Sequence, residues 1–192
     1  MQTAQKNGWE VVQDTAWEGY TKIPTWIMQG YATLADETVE QLSSMGIARP
    51  THVLLQGGVG AMAGGVLGYL ADVYGAKHLH SIIVEPELAD CLYRSALKGQ
   101  IVNVSGDMTT IMAGLACGEP NPLGWEVLRN CATQFVSCQG RRRRPRHAGA
   151  GKPGGPGSAR YFRRIRRRRS RPAGGDLFPS AARSADAQAQ AG

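Results

Sequence analysis

The sequence predicts an α/β fold with a mostly parallel sheet, and two features carry that prediction. Helical and extended stretches alternate along the chain, and the extended stretches at residues 52–56 and 80–84 have continuous apolar centres. Strands of this kind are buried on both faces and are typical of parallel sheets whose crossovers are helices. A glycine-rich loop at residues 57–60 follows the first of them, as a strand-to-helix turn would.

The elements before Pro86 are predicted in order from their apolar spacing. Residues 9–12 form a short apolar run that suits a strand. A helix opens at Pro24 and closes at Gly46, with apolar residues three or four positions apart. After the strand at 52–56, residues 61–74 predict a helix rich in small residues, which suits close packing on a sheet.

The pattern beyond Pro86 is looser. It predicts helices at residues 88–95, 107–118 and 125–131, and a strand at residues 133–137. Composition then changes abruptly at Gly140, which predicts a boundary between a domain at residues 1–139 and a tail at residues 140–192.

Charge divides the chain at almost the same position. Residues 1–140 hold 7 basic and 13 acidic residues, a net charge of −6, whereas residues 141–192 hold 15 basic and 2 acidic residues, a net charge of +13. The tail is rich in Arg, Gly and Pro and poor in apolar residues, so we expect it to be disordered. As written, it is a polycation that would bind nucleic acid or anionic membranes by counterion release.

Several classes of protein are excluded by what the sequence lacks. The four cysteines lie 26, 14 and 7 residues apart, which is not the ligand spacing of a zinc site, and the four histidines form no metal motif. We therefore expect no metal and ordinary cytosolic thiols. No apolar run is long enough to span a membrane, and the first residues lack a secretory pattern, so we expect a cytoplasmic protein without a membrane partner.

The glycine loop is the feature most indicative of chemistry. Gly57, Gly58, Val59 and Gly60 follow a strand and precede a helix, so their backbone N–H groups surround the positive end of the helix dipole. Such a point stabilises an anion, phosphate above all, although an ordinary tight turn would have the same spacing. The loop is neither a P-loop nor a dinucleotide fingerprint, because its glycine spacing fits neither motif.

Longer stretches around the loop resemble a known family. Residues 50–61 and 80–86 resemble the phosphate loop and next strand of fold-type II pyridoxal-phosphate enzymes. Within that group, residues 8–20, 23–31 and 114–125 resemble the diaminopropionate ammonia-lyase family. The resemblance covers nearly all of residues 1–139. It implies a three-layer fold, here incomplete, and α,β-elimination of 2,3-diaminopropionate to pyruvate and two ammonia, with pyridoxal 5'-phosphate as the cofactor and electron sink.

The resemblance also implies roles for particular residues and partners. Gly57, Gly58, Val59, Gly60 and Ala61 would hold the cofactor phosphate. Asp14 falls where the family has an aspartate that serves as general base at the substrate, although on its own it would suit a helix cap or a solvated loop. The implied partners are a small amino-acid substrate and a second subunit of a homodimer, with no specific nucleic acid.

The sequence departs from that family in two respects. The family's cofactor lysine and an upstream Asp-Gly-Asn-His stretch have no counterpart here, so we expect a fragment of a longer enzyme that is inactive alone. Read one base later, the codons of the arginine-rich tail permit Met-Arg-Val-Leu-Gly-Asn-Pro and a Ser-Gly-Glu-Ser-Gly stretch, both similar to the family's C-terminal region. We therefore hypothesise a frameshift near Gly140. The alternative function is a non-catalytic remnant whose polyarginine binds nucleic acid non-specifically.

Overall fold

The chain forms a four-stranded sheet in the order β1-β2-β3-β4. The computed structural model describes residues 2–139 and 160–163. Strands β1 (His52–Gln56), β2 (His80–Pro86) and β3 (Gln134–Cys138) are parallel, and β4 (Arg160–Arg163) pairs antiparallel with β3. The predicted α/β fold with a mostly parallel sheet is confirmed.

Five α-helices are present in the described part of the chain. They are α1 (Gln2–Asn7), α2 (Lys22–Ser44), α3 (Ala61–Tyr74), α4 (Cys91–Lys98) and α5 (Pro122–Cys131), with short 3-10 turns at Ala76–His78 and Ala113–Leu115. The crossover from β1 to β2 contains α3, and the crossover from β2 to β3 contains α4 and α5. This is the helix-linked arrangement that parallel strands require.

The core lies between one face of the sheet and the helices. Leu55, Ile83 and Phe135 point into it from β1, β2 and β3, and the Phe135 ring meets the Trp125 ring of α5 at 6.2 Å between centroids. Helix α3 packs against α2 and α5 at very short range because it presents glycines. A Cβ on Gly64 would lie 2.9 Å from the Cα of Gly124 in α5.

The same close packing holds α3 to α2. A Cβ on Gly65 would overlap the backbone oxygen of Met28, a fully buried residue of α2. Real side chains never approach a backbone oxygen so closely, so glycine is the residue that permits this helix–helix distance. The small-residue helix predicted at residues 61–74 is present, but the close approach that its glycines permit is to helices α2 and α5 and not, as predicted, to the sheet.

The opposite face of the sheet is largely uncovered by the described residues. Leu54 of β1 is 64% exposed, and Ile82 and Val84 of β2 and Val136 of β3 are half-buried. Parallel sheets are normally covered on both faces. The described residues thus form the sheet and one helical layer of the three-layer arrangement.

Two predicted elements are wrong. Residues 9–12 form no strand, and Trp9 and Val12 are 65% and 69% exposed. Residues 107–118 form no α-helix beyond the 3-10 turn at Ala113–Leu115, because the Asp107 side chain accepts a hydrogen bond from the Thr109 backbone N–H at 2.9 Å and so competes with helix formation. The boundary at residue 140 and the predicted disorder fall on residues that, β4 apart, lie outside those described.

Candidate functional site

The candidate site lies at the C-terminal ends of the parallel strands. The glycine loop, residues 57–60, leaves β1 there, and the Gly57 N–H continues the ladder by donating to the Val84 oxygen of β2 at 2.8 Å. Gly60 then turns into α3 with φ of +93°, a left-handed conformation that favours glycine. Loops at this edge of an open α/β sheet are where ligands usually bind.

Gly57 and Gly60 of the glycine loop are packed closely from behind, so side chains could not be accommodated at these two positions. A Cβ on Gly57 would lie 2.9 Å from Cγ of Glu85, and one on Gly60 would lie 3.2 Å from the side chains of Leu92 and Leu128. A Cβ on Gly124, at the start of α5, would lie 2.5 Å from the Gly60 oxygen. At its glycines the loop therefore presents only backbone atoms, held between α4 and α5.

The backbone donors of this surface suit an anion. The first helical hydrogen bond of α3 runs from the Gly64 N–H to the Gly60 oxygen at 2.8 Å. The N–H groups of Ala61, Met62 and Ala63 therefore have no partner within the helix, and they lie at the positive end of its dipole. A phosphate fits this arrangement by charge and by hydrogen-bonding chemistry, which is what the glycine loop predicted.

Asp14, the other predicted site residue, lies close to this loop. It is half-buried in an irregular stretch, residues 9–20, which we call the Asp14 segment. Its carboxylate lies near the thiol of Cys117, and Cys117 Sγ would lie 3.3 Å from a Cβ on Gly58. Burial, and then the Asp14 charge, raise the pKa of the Cys117 thiol, while the Val59 N–H lowers it. The thiol therefore stays protonated at neutral pH.

Asn121 connects the Asp14 segment to the glycine loop. It is completely buried, and its backbone N–H donates to the Val59 oxygen at 2.7 Å. Its side-chain Nδ2 donates to the backbone oxygen of Asp14. Its Oδ1 caps α5 by accepting from the N–H groups of Leu123 at 2.9 Å and Gly124 at 3.4 Å.

Glu85 fixes the start of α4 behind the loop. It is fully buried at the end of β2, and its carboxyl accepts hydrogen bonds from the N–H groups of Leu92 at 2.9 Å and Tyr93 at 2.6 Å. Burial raises the pKa of Glu85 to about 8, although these two N–H groups lower it. Cys91, the first residue of α4, reaches back to the Gly58 oxygen with its Sγ at 3.6 Å.

A cavity of about 430 Å³ opens on the same edge of the sheet, beyond β2 and β3. Its lining contains neither Asp14 nor any residue of the glycine loop. It is formed by Pro86, Glu87, Leu88, Thr109, Thr110, Ile111 and Gln139. No group of three or more metal-ligating side chains comes together in the part of the chain that the structure describes.

Sequence reasoning named Asp14 and the loop but missed the residues that hold them together. Asn121 carries a local signal, because an Asn before Pro122 at the first helical position is typical of a helix N-cap. Nothing local indicates its bond to Asp14, which is 107 positions away. Cys117 and Glu85 carry no local signal for their positions beside the loop. The four described cysteines are free thiols.

Comparisons with known proteins agree with this geometry. Residues 2–142 match the model of the family described as pyridoxal-phosphate dependent enzyme. The chain is 81% identical over 139 residues to the diaminopropionate ammonia-lyase of Escherichia coli strain K12, an alignment that covers 72% of this chain and 35% of that relative. It is 53% identical over 136 residues to the diaminopropionate ammonia-lyase of Salmonella typhimurium strain LT2, covering 70% of this chain and 34% of that relative.

A solved structure is similar as well. The crystal structure of the Escherichia coli diaminopropionate ammonia-lyase, in complex with an aminoacrylate–pyridoxal-phosphate azomethine reaction intermediate, superposes with a TM-score of 0.68 and 78% sequence identity. That match covers 72% of this chain and 34% of the other. The chain thus spans about a third of the length of the relatives that it matches. Across residues 2–139 and 160–163, no helix is long and apolar enough to cross a membrane.

Proposed function

The chain belongs to the pyridoxal-phosphate dependent enzyme family, and from that premise we propose that it is part of a diaminopropionate ammonia-lyase. The reaction is the α,β-elimination of 2,3-diaminopropionate to pyruvate and two ammonia. The observation that carries the proposal is the glycine loop at the start of α3, which presents only backbone atoms at its glycines, in a chain that is 81% identical to a lyase of this name. The 139 matched residues would supply the cofactor-phosphate site and one acid–base group.

The cofactor phosphate is assigned to Gly57, Gly58, Val59, Gly60 and Ala61. The N–H groups at the start of α3 donate to its oxygens, and the helix dipole stabilises its charge. This recognition depends on backbone geometry. It is sensitive to any residue other than glycine at position 60, where φ is +93° and a Cβ would lie 3.2 Å from Leu92 and Leu128.

Asp14 is assigned as the general base. When bound, pyridoxal phosphate supplies the electron sink that makes the substrate Cα–H acidic. The Asp14 carboxylate takes that proton, and Asn121 holds the backbone of Asp14 beside the loop. The neighbouring Cys117 thiol, protonated at neutral pH, adds no second negative charge beside the carboxylate.

The remaining assignments concern the whole protein. We place the enzyme in amino-acid catabolism in the cytoplasm, as a homodimer, with residues 1–139 as the partial catalytic domain. The chain alone is expected to be inactive, since the family's cofactor lysine lies in a Phe-Lys motif that has no counterpart here, and Lys6, Lys22, Lys77 and Lys98 stand in no such motif. Residues 140–192 are assigned as a frameshifted tail without evolved function, and accidental nucleic-acid binding by its arginines is the second candidate.

The phosphate site is tested by titrating the 192-residue chain with pyridoxal phosphate, followed by isothermal titration calorimetry, with pyridoxal as the control ligand. We expect pyridoxal phosphate to bind and pyridoxal to bind at least about tenfold more weakly. Gly60→Ala should weaken phosphate binding by about tenfold or more. Gly46→Ala has the same positive-φ strain at the end of α2, where a Cβ meets nothing, and should leave binding unchanged. Equal binding of both ligands would refute the phosphate site.

The reaction is tested in a full-length enzyme in which residues 1–139 replace the matching segment of the Escherichia coli relative. Pyruvate formation from 2,3-diaminopropionate is expected, and Asp14→Asn should reduce kcat by about a hundredfold. Pyruvate formed by the 192-residue chain alone would contradict the proposed inactivity. DNA binding that disappears when residues 141–192 are deleted would support the second candidate. Resequencing that finds the polyarginine in frame, with arginine codons that are not of the CGN type, would refute the frameshift.

A further inference from the structure

Asn121 is a buried polar residue for which the proposed chemistry has no direct use. Three of its polar groups point to three different elements: the backbone N–H to the glycine loop, Oδ1 to the start of α5, and Nδ2 to the Asp14 segment. Its backbone oxygen accepts from the Trp125 N–H within α5. The amide orientation is fixed by this environment, because the N–H groups of Leu123 and Gly124 require an acceptor and the Asp14 oxygen requires a donor.

The other hydrogen bonds of the Asp14 segment are local. The Tyr20 hydroxyl donates to the Val11 oxygen at 2.8 Å and accepts from the Gln13 N–H at 3.0 Å, and Trp17 and Tyr20 exchange backbone hydrogen bonds. These bonds shape the segment but do not attach it to the body. The bond from Asn121 Nδ2 does attach it, and it ends on Asp14 itself.

We infer that Asn121 is a positioning residue that holds Asp14 at a fixed distance from the glycine loop, and so places its carboxylate relative to the cofactor phosphate proposed to bind there. One buried side chain sets the distance between the base and the glycine loop, because its backbone is bonded to Val59 and its side chain to Asp14. Asn121 itself exchanges no proton and touches the reacting atoms only through Asp14. This inference rests on the proposed role of Asp14 as the base.

Asn121→Ser removes the hydrogen bond to Asp14 but keeps a side-chain cap for α5. A serine oxygen can still cap α5, since Ser and Asn are comparable N-cap residues, but it offers no amide donor to Asp14. Asn121→Ala removes both functions. Asn130→Ser is the matched control, because Asn130 is an exposed residue of the same helix whose Nδ2 bonds only to Glu126.

The first measurement is amide hydrogen exchange in the 192-residue chain, which needs neither cofactor nor activity. Asn121→Ser should accelerate exchange of the Gln13, Trp17 and Tyr20 N–H groups, the hydrogen-bonded amides of residues 13–20, by about tenfold, because the segment opens more easily without its bond to Asn121. It should leave exchange in α5 and the affinity for pyridoxal phosphate within about twofold. Asn121→Ala should also accelerate exchange at the start of α5. Asn130→Ser should change neither region. Unchanged exchange of the Gln13, Trp17 and Tyr20 N–H groups in Asn121→Ser would show that the bond from Asn121 does not hold the Asp14 segment.

The second measurement is kinetic, in the full-length enzyme that carries residues 1–139. Asn121→Ser is expected to reduce kcat by about tenfold while KM stays within about threefold, since the substrate still binds but the base is misplaced. A rise in KM at constant kcat would overturn the positioning role, as would an unchanged kcat with faster exchange. The unsubstituted enzyme could make no pyruvate although Asn121→Ser speeds amide exchange in the Asp14 segment. In that case the proposed function fails, and the positioning role fails with it.

Discussion

The glycine loop and the Asp14 segment lie side by side in the candidate site but are held by different interactions. The loop is enclosed by core side chains and by the backbone of α5. A Cβ added to Gly57 or Gly124 would lie closer to neighbouring atoms than a normal van der Waals contact allows. The Asp14 segment has exposed apolar residues, such as Trp9 at 65%, and polar contacts that are mostly local. One half of the site is thus built by packing and the other by a few hydrogen bonds.

Because of this difference, substitutions in the two regions should change different properties: the stability of the domain in one case and the position of Asp14 in the other. A change beneath the loop should unfold the domain, because packed interiors tolerate little added volume. A change in the Asp14 segment should leave the domain folded and alter only where Asp14 lies. Three further substitutions, in decreasing order of expected effect, examine this separation.

The largest effect is expected from Gly65→Ala. The added Cβ would overlap the Met28 oxygen and push α2 away from α3, so the free energy of unfolding should fall by about 3 kcal/mol. Gly30→Ala is the control, because Gly30 lies on the exposed face of α2 with nothing near its Cβ, and should stabilise the chain by about 0.5–1 kcal/mol. Urea denaturation followed by circular dichroism measures both. Equal effects would show that α2 and α3 can separate freely.

An intermediate effect is expected from Glu85→Gln, and it depends on pH. The pKa of Glu85 is raised to about 8 in the folded chain from an ordinary value of 4.5, so the folded chain keeps a proton that the unfolded chain loses between these values. Stability from this group is full below pH 4.5 and falls as pH rises to 8, by about 1.4 kcal/mol per pH unit at most.

The difference between the parent chain and Glu85→Gln should therefore vary with pH across that window. Asp90, Cys91 and Cys138 are the titratable groups that face Glu85, and all three remain in the variant. Glu119→Gln, at an exposed position, should track the parent at every pH. Parallel stability curves for the parent and Glu85→Gln would show that the buried carboxyl does not titrate in this range.

The smallest effect is expected from Tyr20→Phe in the Asp14 segment. Loss of the hydroxyl removes the bonds to Val11 and Gln13, which should cost about 1 kcal/mol locally and leave global unfolding almost unchanged. Tyr31→Phe is the control, because the Tyr31 hydroxyl forms no hydrogen bond with a described residue. Hydrogen exchange at residues 9–20 should rise only in Tyr20→Phe. A fall in global stability as large as that of Gly65→Ala would contradict the separation.

The same two regions show how far the sequence predicts this molecule. The predicted bounds of β1 and α3 coincide with those observed, because an apolar run ends at Gly57 and a small-residue helix ends at Gly75. Both signals are local. Residues 9–12 are equally apolar, but a strand needs a partner strand, and the local sequence does not say whether one is present.

Long-range contacts were beyond such reasoning for the same reason. The Asn-Pro pair at 121–122 indicates the N-cap of α5, yet the bond from that cap to Asp14 depends on how two distant segments meet. Glu85 is ordinary in the sequence and becomes unusual only when burial removes water from it. Resemblance and glycine spacing thus suffice to propose which residues form the site, whereas the contacts that align these residues with one another required coordinates.

The crossovers of the sheet bear on the order in which the chain folds. Residues 57–79 join β1 to β2 and are mostly α3, whereas residues 87–133 join β2 to β3 and include long irregular stretches. Closing the longer connection costs more chain entropy, so the β1–α3–β2 unit should form first. Asn121 lies in the longer connection. A nascent chain would therefore complete its glycine loop before the bond from Asn121 to Asp14 can form. Pulse-labelled hydrogen exchange should protect residues 52–84 ahead of the hydrogen-bonded amides of residues 13–20.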